Sequence, residues 1–170
     1  SSLRLANPLL MMTDKLFDNI PSLDLADFVS GDENARVKFV SDLGDAYQQI
    51  GFVAIRNHFL TDELTGNLYK VVKSFFDLDD ATKQKYEIPH LAGQRGYVSK
   101  GKEHAKGRST GDLKEFYHIG QEVIDNDPIK EEYPENVWPE VIPQFRPISL
   151  EVYRRLEQTG MEMLKAISLY

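Results

Sequence analysis

Residues 93–120, GQRGYVSKGKEHAKGRSTGDLKEFYHIG, constrain the fold more than any other stretch of the chain. Two short aromatic and β-branched runs, Gly96-Tyr97-Val98 and Glu115-Phe116-Tyr117-His118-Ile119, flank a polar loop punctuated by Gly101, Gly107 and Gly111. This pattern predicts a β-hairpin. Side chains alternate along a strand, so Phe116 and His118 share one face, and Glu115, Tyr117 and Ile119 share the other. With Arg95 and Tyr97 on the neighbouring strand, an imidazole beside an aromatic ring could hold a small polar or carboxylate-bearing ligand. A half-buried hairpin with a solvated loop is the plainer reading of the same residues, because mixed faces are ordinary in sheets.

Charge marks out the same stretch. Between Gly93 and Lys114, six basic residues stand against Glu103 and Asp112, a net of +4, which leaves −11 on the rest of a chain whose total is −7. The loop could attract an anionic small molecule, or be an ordinary solvated face. The overall negative charge argues against nucleic acid or an anionic membrane as the main partner. No apolar run approaches the length that spans a bilayer. Without cysteine there are no disulfides, thiolate nucleophiles or thiolate metal sites, and a cytoplasmic location is expected. At 170 residues the chain can bury a real core as one domain.

Ser1–Met12 differs in character from the rest and is expected to be a tag or disordered leader, since Met12-Thr13-Asp14-Lys15 looks like a natural start. Ile20–Leu25 alternates after a proline, as a short strand does. Asp32–Ile50 has helical spacing (Val37, Val40, Leu43, Tyr47, Ile50) and is stopped by Gly51. Phe52–Ile55 reads as a buried strand. A helix follows from Thr61 or Asp62, with Leu64, Leu68, Val71, Val72 and Phe75 on one face. A short helix to Tyr86 comes next, closed by Pro89. From Val141 the chain is helical to its end, with the regular helix starting near Ile148 because of Pro143 and Pro147. The alternation of strand and helix predicts a mixed α/β fold, with helices packed on a small mixed sheet.

Local motifs name no chemistry. His58, His90, His104 and His118 form neither a His-x-Asp nor a His-x-x-x-His pair, so no metal ligand is assigned from spacing. Phosphate-binding glycine loops and the Gly-x-Ser-x-Gly elbow are absent from the sequence. Gly93-Gln94-Arg95-Gly96 matches the four-letter loop of KH domains, which keeps a nucleic-acid-binding module as a remote alternative.

The order of several pieces is more specific than any one. Ile20-Pro21-x-Leu23-Asp24-Leu25 precedes Gly51-Phe52-Val53-x-Ile55-x-Asn57-His58, then Phe75-Phe76-Asp77-Leu78 and Lys83. Arg95-Gly96-Tyr97, Asp112–Gly120, Asn136-x-Trp138-Pro139, Phe145-Arg146 and Tyr153 complete the series. In this order the chain resembles the amino-terminal half of the isopenicillin N synthase-like family of iron(II)- and 2-oxoglutarate-dependent oxygenases.

The resemblance implies residues 13–140 as a non-haem dioxygenase amino-terminal domain. Residues 141–170 would be a long helix buttressing a double-stranded β-helix (jelly-roll) core downstream. It implies iron(II) and 2-oxoglutarate bound by that downstream half, with no catalytic or metal residue in this chain, which alone would be inactive. The reaction would be hydroxylation, desaturation or ring closure of a small organic substrate with O2, releasing succinate and CO2. Arg95, Tyr97, Phe116 and His118 would bind the substrate, Arg95 through an anion, and the loop Ser99–Gly111 would be a flap. The remaining alternatives are a 2-oxoglutarate-independent oxidase of the same family and a non-catalytic binding or scaffold module.

Overall fold

The computed structural model describes residues 20–102 and 114–170. The chain divides into two compact units, one of residues up to Thr61 together with Arg155–Tyr170, the other Asp62–Arg154. Both the leader expected at residues 1–12 and most of the expected flap lie outside the described residues.

In the first unit, strand β1 (Ser22–Asp24) runs directly into a short helix α1 (Leu25–Val29), which the sequence reading did not anticipate. Asp24 starts that helix, because its Oδ1 accepts a hydrogen bond from the Ala26 amide at 2.9 Å. Its Oδ2 accepts another from Asn57 Nδ2 at 2.7 Å, tying β1 to the end of strand β2 (Ala54–Arg56). The two strands pair in parallel, Leu23 opposite Ile55. Helix α2 (Glu33–Gln49) is capped by Asp32, which accepts from the Ala35 amide at 2.8 Å. It ends as expected at Gly51, whose φ of +92° is the left-handed conformation that glycine adopts without strain. Leu25, Phe28, Phe39, Val40, Leu43 and Ala166 form the core of this unit.

Two expectations change here. Phe52–Ile55 is a half-buried segment, not a buried strand: Val53 and Ile55 pack on the core while Phe52 remains 46 % exposed. The reason is that β2 has β1 alone as a partner among the described residues and covers one face of it. In addition, the expected single mixed sheet is, among the described residues, two two-stranded sheets, one parallel and one antiparallel.

The second unit is organised by helix α3 (Asp62–Phe76), whose apolar stripe is the one its spacing predicts. Phe75 is fully buried, and its ring lies 4.8–6.0 Å from those of Phe76, Tyr86, Tyr97, Tyr117 and Phe145. Asp79 caps helix α4 (Asp80–Gln84) through the Thr82 amide at 2.9 Å. Pro89 opens a 3-10 turn, Pro89–Leu91, instead of closing α4. Strands β3 (Gly96–Val98) and β4 (Phe116–His118) form the expected antiparallel hairpin, with Tyr97 opposite Tyr117. Helix α5 runs from Phe145 to Ser168, three residues earlier than expected at its start. Pro147 is accommodated because it falls in the first turn, where its missing N–H has no intrahelical acceptor to lose. The part of α5 as far as Arg154 belongs to the second unit and the remainder to the first.

The aromatic core of the second unit predicts a sharp contrast on one helix. Phe75→Ala should lower stability by roughly 3–5 kcal/mol. Tyr69→Ala, at a residue 70 % exposed on α3, should change the denaturation midpoint little. Urea denaturation of both variants checks this.

Candidate functional site

The hairpin has two faces, and they do different things. On the inner face Tyr97, Tyr117 and Ile119 pack into the aromatic core around Phe75. Glu115 points the same way, as alternation requires, and a carboxylate there needs partners. It has them: its Oε2 accepts from Lys83 Nζ at 2.8 Å and from the Tyr97 hydroxyl at 2.6 Å. Lys83 is itself 3 % exposed and also approaches the Asp80 carboxylate at 3.3 Å. Sequence reasoning missed this pairing because 32 residues separate Lys83 from Glu115. The available signal was a charged residue in the alternation of a core-facing strand, which is rarely left unpaired.

The electrostatics of this cluster are mutually reinforcing. Hydrogen bonding to Glu115 raises the Lys83 ammonium above its usual range, despite burial. Burial pushes the Glu115 carboxyl up, but the bonds from Lys83 and Tyr97 outweigh it and hold the group below the ordinary value. Burial, and then the bond to Glu115, push the Tyr97 hydroxyl up to about 12. Beyond β3, Glu87 accepts from the Ser99 amide at 3.1 Å and pairs with Lys102 at 3.1 Å, which fixes the chain as it leaves the strand.

The outer face of β4 carries Phe116 and His118, whose rings lie 5.9 Å apart at 32°. His118 is exposed, and its Nδ1 lies 2.5 Å from the Gly93 carbonyl oxygen. Gly96, paired with His118, must be glycine: its φ is +79° and an added Cβ would sit 2.5 Å from the Tyr86 carbonyl. Two residues beyond His118, the Arg95 guanidinium occupies the space a Gly120 side chain would need, 2.1 Å from an added Cβ. Asn136 holds Gly120 from both sides, accepting from its amide at 2.8 Å and donating to its carbonyl at 2.9 Å. Arg95 Nη1 donates to the Gln94 carbonyl at 2.8 Å, while its buried Nε has no partner.

Of the four residues expected to meet a substrate, the structure therefore brings together Phe116 and His118. Arg95 stands beside Gly120, at the next position of the same alternation. Tyr97 lies on the other face, 3 % exposed with its hydroxyl committed to Glu115. A cavity of about 340 Å³, lined by Glu87, Gly93, Val98 and Lys102 among others, opens next to Gly93. A second, of about 320 Å³, is walled by Trp138, Tyr133 and Arg146, but Arg146 is matched by Glu122 at 3.1 Å.

Metal chemistry finds no donor set in these residues. Among the described residues no three of His, Asp or Glu lie close enough to hold an ion, so an iron site does not fit here. Nor is any helix among them long and apolar enough to cross a membrane.

Removing Glu115 takes away the nearest partner of a buried ammonium and leaves it Asp80 and the Phe76 carbonyl. Glu115→Ala should lower stability by roughly 1–3 kcal/mol, and Lys83→Met combined with Glu115→Leu by less. The native pair also makes stability depend on pH. Its contribution from Glu115 is complete above the ordinary carboxyl range and is lost as pH falls through the lowered native value. Its contribution from Lys83 and Tyr97 is complete below about pH 10 and is lost as pH rises through their raised values. Urea midpoints across pH should show both limbs, and Glu115→Gln should flatten the acid one.

Comparison with known proteins places the chain. Residues 20–141 match the family described as non-haem dioxygenase in morphine synthesis N-terminal. A 2-oxoglutarate-Fe(II) type oxidoreductase, ppzD, from Metarhizium rileyi is 31 % identical over 159 residues, covering 88 % of this chain and 44 % of the relative. The leucoanthocyanidin dioxygenase of Malus domestica is 28 % identical over 88 % of this chain and 40 % of its own length. Among solved structures, a 2OG-Fe(II) oxygenase family protein from Caulobacter crescentus superposes with a TM-score of 0.78 at 30 % identity, over 89 % of this chain and 48 % of that one. The fold is also shared with a full-length Neurospora crassa protein solved in complex with alpha-KG, at a TM-score of 0.69 and 22 % identity over 88 % of this chain and 46 % of that one. The chain thus spans a little under half the length of these relatives. It belongs to the family of non-haem dioxygenase amino-terminal domains.

Proposed function

We propose that this chain is the substrate-positioning amino-terminal part of an iron(II)- and 2-oxoglutarate-dependent oxygenase. The whole protein would hydroxylate, desaturate or cyclise a small organic molecule with O2, releasing succinate and CO2. The observation that carries this reading is the family match over residues 20–141, joined by relatives named for 2-oxoglutarate and iron. Because the described residues offer no iron site, the metal and 2-oxoglutarate would be held by a jelly-roll core contributed by residues outside them.

This chain's own work is placement, which can supply a large share of a rate enhancement when one bond must be presented correctly. Phe116 offers a flat apolar surface and His118 a polar ring edge on the outer face of β4. Arg95, with its guanidinium beside Gly120, would pair with a substrate anion. Tyr97 acts from behind, holding the hairpin through Glu115. The exposed apolar residues Leu156, Met161, Leu164 and Ile167 of α5 are read as the surface on which the rest of the protein packs.

Succinate release by the full-length protein, screened against carboxylate-bearing small molecules, tests the reaction. Substrate-dependent succinate is expected; substrate oxidation without succinate would mark an oxidase that does not use 2-oxoglutarate, and no oxidation would mark a non-catalytic module. Gly120→Ala should displace the Arg95 guanidinium, raising KM for an anionic substrate while leaving the denaturation midpoint nearly unchanged. The 170-residue chain alone should self-associate in sedimentation velocity. A monodisperse, cooperatively melting monomer would contradict the packing surface assigned to α5.

A further inference from the structure

We propose that His118 sets substrate specificity through its outward Nε2, which accepts a hydrogen bond from an N–H or O–H group of the substrate. The inference rests on the reading of the outer face of β4 as a substrate wall. It specifies what part of a molecule that wall takes: an amide, amine or alcohol donor, with any carboxylate left to Arg95.

Nδ1 lies 2.5 Å from the Gly93 carbonyl oxygen. A carbonyl can only accept, so Nδ1 must carry the proton of that bond. Turning the ring over would put a carbon at the same place, far inside the contact distance of about 3.5 Å, so the orientation is determined. A neutral imidazole has one N–H, and with that proton on Nδ1 the lone pair belongs to Nε2. His118 is exposed, and Nε2 has no partner among the described residues.

The surroundings hold the ring in that orientation. Gly93 has a φ of +79° and packs against Val98, so its carbonyl is held by the turn that precedes β3. Phe116 flanks the imidazole at 5.9 Å, giving a ligand an apolar surface next to the acceptor. A carboxylate placed at the same atom would set lone pair against lone pair. An N–H or O–H would complete the imidazole's second hydrogen bond. Discrimination of this kind is strong when the mismatched ligand leaves a polar atom without a partner.

The test uses the full-length oxygenase labelled with 15N-histidine, at about pH 8 so that an ordinary imidazole is neutral. Benzamide and benzoate are the probes, alike in shape and opposite in hydrogen-bonding sense. Long-range proton–nitrogen spectra, assigned with His118→Phe, should show the Nδ1–H tautomer at His118. Benzamide should shift Nε2, and benzoate at equal concentration should not. His118→Phe should weaken benzamide binding about five- to tenfold, and His118→Gln should restore most of it. An Nε2–H tautomer, equal response to benzoate, or no response to benzamide would each overturn the proposal. Succinate release measured on the same preparation separates the two readings: its absence beside the expected spectra would sink the oxygenase reading and leave His118 as a donor-binding site.

Discussion

The hairpin that carries the candidate site depends on one partly buried carboxylate. Glu115 accepts from Lys83 and from Tyr97, and so joins α4, β3 and the start of β4 at a single oxygen. Two charges removed from water are tolerated only where geometry and further hydrogen bonds compensate the lost hydration. The second bond from Tyr97 and the nearby Asp80 meet that requirement. Because the cluster lies immediately before Phe116, it sets where the outer face of β4 begins. A shift of β4 by one residue would exchange the core-facing and outward sets of side chains altogether.

That division of faces separates the residues proposed to meet a substrate from those that hold the fold. Tyr97, Tyr117 and Ile119 are fixed by the aromatic core around Phe75. On alternate positions of the other face, Phe116 is partly buried and His118 is exposed. Glycine makes the arrangement possible at two points. Gly96 lets β3 approach the Tyr86 carbonyl, and Gly120 leaves room for the Arg95 guanidinium. Both are places where a side chain would collide with what the site needs.

Much of this was legible in the sequence. The hairpin, its two-faced alternation, the stop at Gly51 and the stripe of α3 follow from local periodicity and turn chemistry, which is where sequence reasoning is strongest. What was not legible depended on distant partners. The pairing of Lys83 with Glu115 has no local spacing to betray it, and the two separate sheets are decided by which strands find partners. Helix α1 was hidden because a strand pattern, Ile20–Leu25, continues straight into it and Asp24 acts as strand residue and cap together. Tyr97 was assigned to the substrate by the family resemblance; the register sets it opposite Tyr117, on the inner face. Family resemblance supplied the chemistry that no motif in these residues could.

The central claim is that β4 presents a substrate wall on one side while its other side is structural. A structure of the full-length protein with a substrate it oxidises, trapped without oxygen, tests it most directly. The account predicts the substrate lying against the Phe116 ring, with an N–H or O–H directed at His118 Nε2 and the Tyr97–Glu115 bond intact. A substrate hydrogen-bonded to the Tyr97 hydroxyl, or bound away from β4, would contradict it.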